Sequence, residues 1–301
     1  MKKIIYFLAI LILLPLINYA QDISLKGKEL FGGMQARHIG PALMSGRIID
    51  VENHPTNPRI IYLGAAGGGV WKSSDSGTTF SPIFDDYAQS IGVVKLDPKN
   101  PDEIIWVGTG EIWTRNSVSV GDGLFKSSDG GVSWTQLTNS GGSTYPYMHV
   151  DQHNYQFIDG NKVIFSNDGG IFYTGNGGVQ VSDRNEGFNV SQFYSVALHP
   201  DTNSKYVIGG TQDNGSWRVD GSTLSNGTNM TGGDGGFSHI DQQDPNYQFV
   251  GSNYNTIYRS TNGGQSWSLY SSYTVGGADT GTLINPTGID DGTKTLYANV
   301  D

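Results

Sequence analysis

Four carboxylates outside the repeated segments of this chain lie near glycine or an aromatic residue in turns that could do chemistry: Asp213, Asp234, Glu111 and Asp168. Asp213 lies in Thr211-Gln-Asp-Asn-Gly215, and Asp234 in Gly232-Gly-Asp-Gly-Gly236. Glu111 precedes Ile112-Trp113, and Asp168 sits in Asn167-Asp-Gly-Gly170. Glycoside hydrolysis needs two carboxyl groups facing one cleft, ~5–10 Å apart, with one held protonated by its surroundings. Asp213, Asp234 and Glu111 are the candidates for that work. The competing reading of each is a short acid capping a turn next to glycine. Trp113 and Trp217 offer flat faces on which a sugar ring can stack, and Arg47 and Arg115 offer cationic donors to a ligand. A second pattern is His149-Val-Asp151-Gln-His153. On a β-strand alternate residues share one face, so both imidazoles and the carboxylate would point the same way and form a ligand set for a divalent metal. The competing reading is a polar inner strand with hydrogen-bonded histidines. No cofactor is firmly implied beyond that possible metal.

The elements that must position these residues are short strands. Ser73-Ser-Asp75-Ser-Gly77-Thr-Thr79-Phe80 returns as Ser127-Ser-Asp129-Gly-Gly131-Val-Ser133-Trp134 and as Ser260-Thr-Asn262-Gly-Gly264-Gln-Ser266-Trp267. A weaker copy is Thr174-Gly-Asn176-Gly-Gly178. An apolar-aromatic run precedes each copy, such as Val70-Trp71-Lys72 and Leu124-Phe125-Lys126. The copies start 54, 47 and 86 residues apart, the last gap being two units of 43. Such a period is the signature of propeller blades. As a turn the segment is self-sufficient: the Asp or Asn accepts backbone N–H bonds, glycine supplies a positive φ, and the final aromatic leads the next strand. These acids are therefore expected to be structural. A second recurring element places a Pro- and Asn-rich turn between two apolar strands, as in Ile48–Val51, His54-Pro55-Thr-Asn57-Pro58 and Ile60–Gly64. Proline cannot donate to a sheet ladder, so it belongs between strands.

The repeat resembles the Asp-box (BNR) motif of sialidase-like and sortilin-like propellers. Gly40–Ile48, Gly67–Ser73, Gly108-Thr-Gly-Glu111, Asn167–Gly170 and Thr211–Gly215 extend the resemblance to a bacterial exported family of sortilin/VPS10-like, BNR-repeat or glycosyl-hydrolase-like proteins. That likeness implies an all-β propeller of four-stranded antiparallel blades, with about five blades and part of a sixth in an incomplete ring. The blades are expected at 44–83, 90–138, 146–184, 192–229 and 237–272, with a partial one at 280–301. Residues 21–43 form a lead-in that can supply a ring-closing strand. The chain reads as part of a longer polypeptide with further domains. The spacing between Trp134 and Tyr145 is short for the family.

The xyloglucan-hydrolase propellers are a closer likeness. Their second catalytic acid lies in a Gly-Asp-x-Gly-Gly-Phe-x-His context. Gly233-Asp234-Gly-Gly-Phe237-Ser-His239 is similar with one residue fewer. Their first acid falls in a first-blade turn, where Gly64-Ala65-Ala66-Gly67 carries alanine. Sialidase activity needs three arginines around a carboxylate. The seven here are scattered, and only Arg47 matches a first position.

Composition narrows the classes. The chain has 301 residues, 43 of them glycine, no cysteine and a formal charge of −10. Short strands and tight turns suit this composition; nucleic acid and anionic membrane do not suit its charge. Lys2-Lys3, the apolar run Ile4–Ile17 and Asn18-Tyr19-Ala20 form a signal peptide over 1–20. The run is short for a membrane span, which needs ~20 apolar residues. These features predict a secreted, periplasmic or cell-surface bacterial protein. Three function classes follow: a module binding glycan or protein ligands, placed first; a glycoside hydrolase; and a structural module of a secretion-linked envelope protein.

Overall fold

The structure is a computed structural model, described over residues 47–113, 120–142, 144–188, 190–221, 227–271 and 282–298. The expected signal peptide, the lead-in strand and Arg115 lie outside the described residues. The described residues form five four-stranded antiparallel sheets and a two-stranded ladder. No helix among the described residues is long and apolar enough to cross a membrane.

The first sheet comprises β1 (Ile48–Asn53), β2 (Ile61–Ala65), β3 (Gly69–Ser73) and β4 (Ser81–Pro82). The second comprises β5 (Ile91–Leu96), β6 (Ile105–Thr109), β7 (Leu124–Ser127) and β8 (Thr135–Gln136). The third comprises β9 (Gln152–Asp159), β10 (Lys162–Asn167), β11 (Gly170–Thr174) and β12 (Ser182–Asp183). In the fourth, β13 (Phe193–Leu198), β14 (Val207–Thr211), β15 (Ser216–Val219) and β16 (Thr228–Asn229) follow in turn. The fifth holds β17 (Ser238–Ile240), β18 (Gln248–Gly251), β19 (Ile257–Ser260) and β20 (Ser268–Ser271). The ladder pairs β21 (Thr287–Asp290) with β22 (Thr295–Ala298).

Every sheet is an up-and-down meander in sequence order. First strands lie beside first strands: β1 against β5, β5 against β9, β13 against β17 and β17 against β21. This is the blade pattern of an incomplete β-propeller. Side chains of β1 reinforce the contact with β5. Asp50 accepts the Val94 N–H at 2.9 Å, Glu52 accepts the Leu96 N–H at 3.2 Å, and Lys95 pairs with both carboxylates. Carboxylates thus satisfy edge donors that would otherwise invite another strand.

The recurrent Ser-x-Asp-x-Gly segment is the turn between third and fourth strands. The Ser73 hydroxyl donates to Asp75 at 2.8 Å and accepts the Gly77 N–H at 2.9 Å. The Asp75 carboxylate accepts the Thr79 N–H at 2.9 Å and the Thr79 hydroxyl at 2.7 Å. The copies at Ser127, Thr174 and Ser260 repeat the hydroxyl-to-glycine bond. Gly77, Gly131, Gly178 and Gly264 take φ between +78° and +95°, where a side chain would be strained. Bonds from the Thr79 hydroxyl and amide hold Asp75 at about 2, and Ser133 does the same for Asp129.

The core lies between sheets. Tyr62, Val70, Phe84, Ile91, Phe125 and Trp134 join the first to the second, with the Phe84 and Trp134 rings edge-on at 5.0 Å. Trp106, Met148, Tyr155 and Phe165 join the second to the third. Ile208, Ile240 and Val250 join the fourth to the fifth. Among the described residues no buried apolar cluster joins the third sheet to the fourth, and Phe193, Val196 and Leu198 of β13 are exposed.

Candidate functional site

An up-and-down meander sends its second-to-third turns and its sheet-to-sheet connections to the same end of the blade. Three of the four carboxylates singled out from the sequence fall in second-to-third turns. Glu111 follows β6, Asp168 follows β10 and Asp213 follows β14. The fourth, Asp234, lies on the connection entering β17, and Asp151 on the connection entering β9. The backbone therefore delivers acids distant in sequence to one end of the sheets.

Asp213 and Asp234 meet there. The Asp213 N–H donates to Asp234 Oδ1 at 3.0 Å. The Asp234 carboxylate also accepts Asn253 Nδ2 at 3.0 Å and the Tyr194 hydroxyl at 3.5 Å. Tyr194 sits at a register shift near the start of β13, a bulge that turns its ring toward the acid. Equivalent shifts occur at the start of β1 and β5. Asp213 adopts φ +60°, a left-handed conformation that short polar residues tolerate. Its carboxyl is pushed up to about 7 by burial first, then by the charges of Asp234 and Asp168. Burial first, then the charges of Asp234 and Asp213, push the Tyr194 hydroxyl up to about 12.

Asp168 extends the group. Its Oδ1 pairs with His153 Nε2 at 2.6 Å, and its carbonyl accepts Asn214 Nδ2 at 3.0 Å. The bond to Asp168 raises the His153 pKa, against the effect of burial. His149 places both ring nitrogens on carbonyl oxygens, Val150 at 2.9 Å and Asp213 at 3.1 Å. It thereby ties the connection entering the third sheet to the turn that carries Asp213.

Glu111 lies at the second sheet's end of the row. Its carboxylate pairs with Arg47 at 2.7 Å and accepts the Trp113 N–H at 3.0 Å. Its own N–H donates to Asp151 at 2.7 Å. Burial raises the Asp151 carboxyl pKa. Gly110 makes this approach possible: at φ +115°, a Cβ there would collide with the Asp151 backbone. Trp113 is 63% exposed beside Glu111. Trp217, on β15, donates its indole N–H to the Asn214 carbonyl at 2.7 Å. It braces the Asp213 turn from behind.

His149, Asp151 and His153 do not share one strand face. Only His153 lies on β9; the strand begins at Gln152, and Asp151 takes φ +62°. A left-handed residue breaks the period-two alternation on which a shared face depends. Met148 is fully buried in the core, which anchors the chain upstream of that break. Among the described residues no group of three or more His, Asp or Glu side chains is arranged to hold a metal ion. Arg47, the sequence's candidate first arginine, pairs through Nη2 with Glu111.

Sequence reasoning missed Tyr194 and Asn253. A signal for Asn253 existed: it occupies in the fifth sheet the second-to-third turn that Asp168 and Asp213 occupy in the third and fourth. Tyr194 carried none, because its orientation depends on a bulge.

No protein-family profile matches the chain. It is 30% identical over 175 residues to a xyloglucanase of Acetivibrio thermocellus, covering 51% of this chain and 18% of that enzyme. It is 31% identical over 107 residues to a xyloglucanase of Hypocrea jecorina, covering 34% of this chain and 12% of that one. The chain thus spans less than a fifth of the length of these relatives. Among solved structures, an ancestral GH74 enzyme matches with a TM-score of 0.37 at 16% identity, over 84% of this chain and 40% of that one.

Proposed function

We propose that this chain is an exported glycan-processing propeller module whose acid-lined end hydrolyses a glycosidic bond, with Asp213 as general acid and Asp234 as its carboxylate partner. One observation carries the reading: Asp213 keeps its proton up to about 7 beside a second carboxylate that holds three hydrogen-bond donors. A carboxyl held protonated by its surroundings beside a second carboxylate is an acid–base arrangement suited to glycoside hydrolysis. The protonated Asp213 carboxyl gives its proton to the glycosidic oxygen as the C–O bond breaks. The leaving sugar takes that oxygen as a hydroxyl. Asp234 faces the positive charge developing at the anomeric carbon; the water that forms the new C–O bond gives its proton to the Asp234 carboxylate, and exchange with solvent returns a proton to Asp213. The xyloglucanase relatives make a β-glucan such as xyloglucan the first substrate to try. The alanines at 65 and 66, where those enzymes' first acid would fall, assign the acid role to another blade.

Purified full-length chain should release reducing ends from xyloglucan. Asp213→Asn and Asp234→Asn should each lower the rate by ~10²–10⁴-fold, the usual contribution of general acid–base catalysis. A folded protein that cleaves no β-glucan would overturn the hydrolytic reading. Trp113, 63% exposed beside Glu111, favours glycan binding without turnover as the second reading. Retained β-glucan binding by an inactive wild type would select it.

A further inference from the structure

A separate cleft of about 710 Å³ opens beside the outer strand of the second sheet. It lies within the ~300–1,000 Å³ range of ligand sites. Three connections wall it: the one entering β5, bearing Asp86 and Tyr87; the one preceding β7, bearing Asp122; and the one following β8, bearing Tyr145. Phe125 and Trp134 close its base from within the buried core, and the half-buried Tyr87 is fixed over them by its hydroxyl bond to the Trp134 carbonyl at 3.3 Å. The cleft is prebuilt. Gly121 packs so closely on Gly110 that a Cβ would come within 2.7 Å of its Cα, and the Gln136 amide donates to the Asp122 carbonyl at 2.6 Å.

The Asp86 and Asp122 carboxylates flank these rings and have no hydrogen-bond or ion-pair partner among the described residues. Acceptors on the rim and the half-buried Tyr87 and Tyr145 rings on the walls suit a ligand with hydroxyl donors around its edge and C–H groups on its face. An uncharged sugar chain has that form. An anionic glycan would meet two carboxylates. A peptide adding a strand would find an edge only two residues long, with the Gln136 side chain folded across to Asp122. We propose that this cleft is a second glycan-binding site, holding an uncharged oligosaccharide segment apart from the acid row.

The inference uses the glycan reading only to choose the probe, and its test does not require turnover. Cellohexaose is titrated calorimetrically into full-length Asp213→Asn protein, then into the same protein carrying Tyr145→Ala, Asp122→Asn or Tyr145→Phe. Tyr145→Ala and Asp122→Asn should each weaken binding at least 10-fold, while Tyr145→Phe, which keeps the ring, should bind within 3-fold. Thermal melts confirm that each variant folds. In the otherwise wild-type chain, Tyr145→Ala should raise KM for xyloglucan and leave cleavage of a short aryl cellobioside unchanged. Absence of cellohexaose binding, or binding indifferent to Tyr145→Ala and Asp122→Asn, would overturn the proposal. So would a lysine-rich peptide that binds the cleft while cellohexaose does not. Loss of hydrolysis with the Tyr145-dependent binding intact would remove the catalytic reading and leave this one standing.

Discussion

Replacing Asp213 by asparagine should stabilise the protein at pH 8 and leave it nearly unchanged at pH 4. The Asp213 carboxyl is raised from 3.8 to about 7 in the folded chain, by burial and by the charges of Asp234 and Asp168. Below about 4 both folded and unfolded chains carry the proton, and the site costs nothing. Between about 4 and 7 the unfolded chain has lost the proton and the folded chain retains it, so stability falls as pH rises. Above 7 the full cost is present. Taken at face value the shift corresponds to ~4 kcal/mol at 1.36 kcal/mol per pKa unit. Asp213 is only partly buried, and solvent screening reduces this to about 1–2 kcal/mol. Asparagine accepts the same left-handed backbone, and its amide can still donate to Asp168, so the change mainly removes the titrating charge. Urea unfolding of both proteins at pH 4, 6 and 8 measures the difference. A gain that grows from pH 4 to pH 8 is expected. An offset equal at all three pH values, or a loss at pH 8, would refute the claim that neighbouring carboxylates and burial hold that proton.

Three further outcomes follow from the same contacts. Glu111→Gln should cost ~1–3 kcal/mol in chemical denaturation, because it breaks a partly buried pair with Arg47 and loosens the acceptor of the Trp113 N–H. Asp129 is held at about 2 by Ser133 and Ser127; its stabilisation is present above the unfolded value of 3.8 and is lost as pH falls through about 2. Asp129→Ala should therefore lower the melting temperature at pH 7 and flatten the acid limb of a melting-temperature profile, without a selective loss of glycan binding. Trp106 is fully buried between the second and third sheets under Lys126, so Trp106→Ala should cost ~3–5 kcal/mol by calorimetry, as large core deletions do.

The fold was legible in the sequence because its units are local. Ser73 to Thr79 closes on itself within seven residues, and its hydroxyl, carboxylate and glycine φ need nothing from another blade. The Pro- and Asn-rich turns mark strand ends in the same local way, so strand order followed from spacing. The acids were legible as candidates for a related reason: Asp168 and Asp213 sit in short glycine-flanked turns that the repeat itself singles out. What the sequence could not decide was which of them meet. Asp213 and Asp234 are joined only because a turn of the fourth sheet and the connection entering the fifth arrive at the same end. His149, Asp151 and His153 do not share a face because one left-handed residue, with φ +62°, ends the alternation that sequence spacing assumes. Tyr194 reaches Asp234 through a bulge, and no residue type announces that bulge. Hydrogen bonds within a turn depend on neighbours in sequence, so residue types determine them. Burial, charge repulsion and the proton held on Asp213 depend on groups brought together from different blades, so only the tertiary structure decides them.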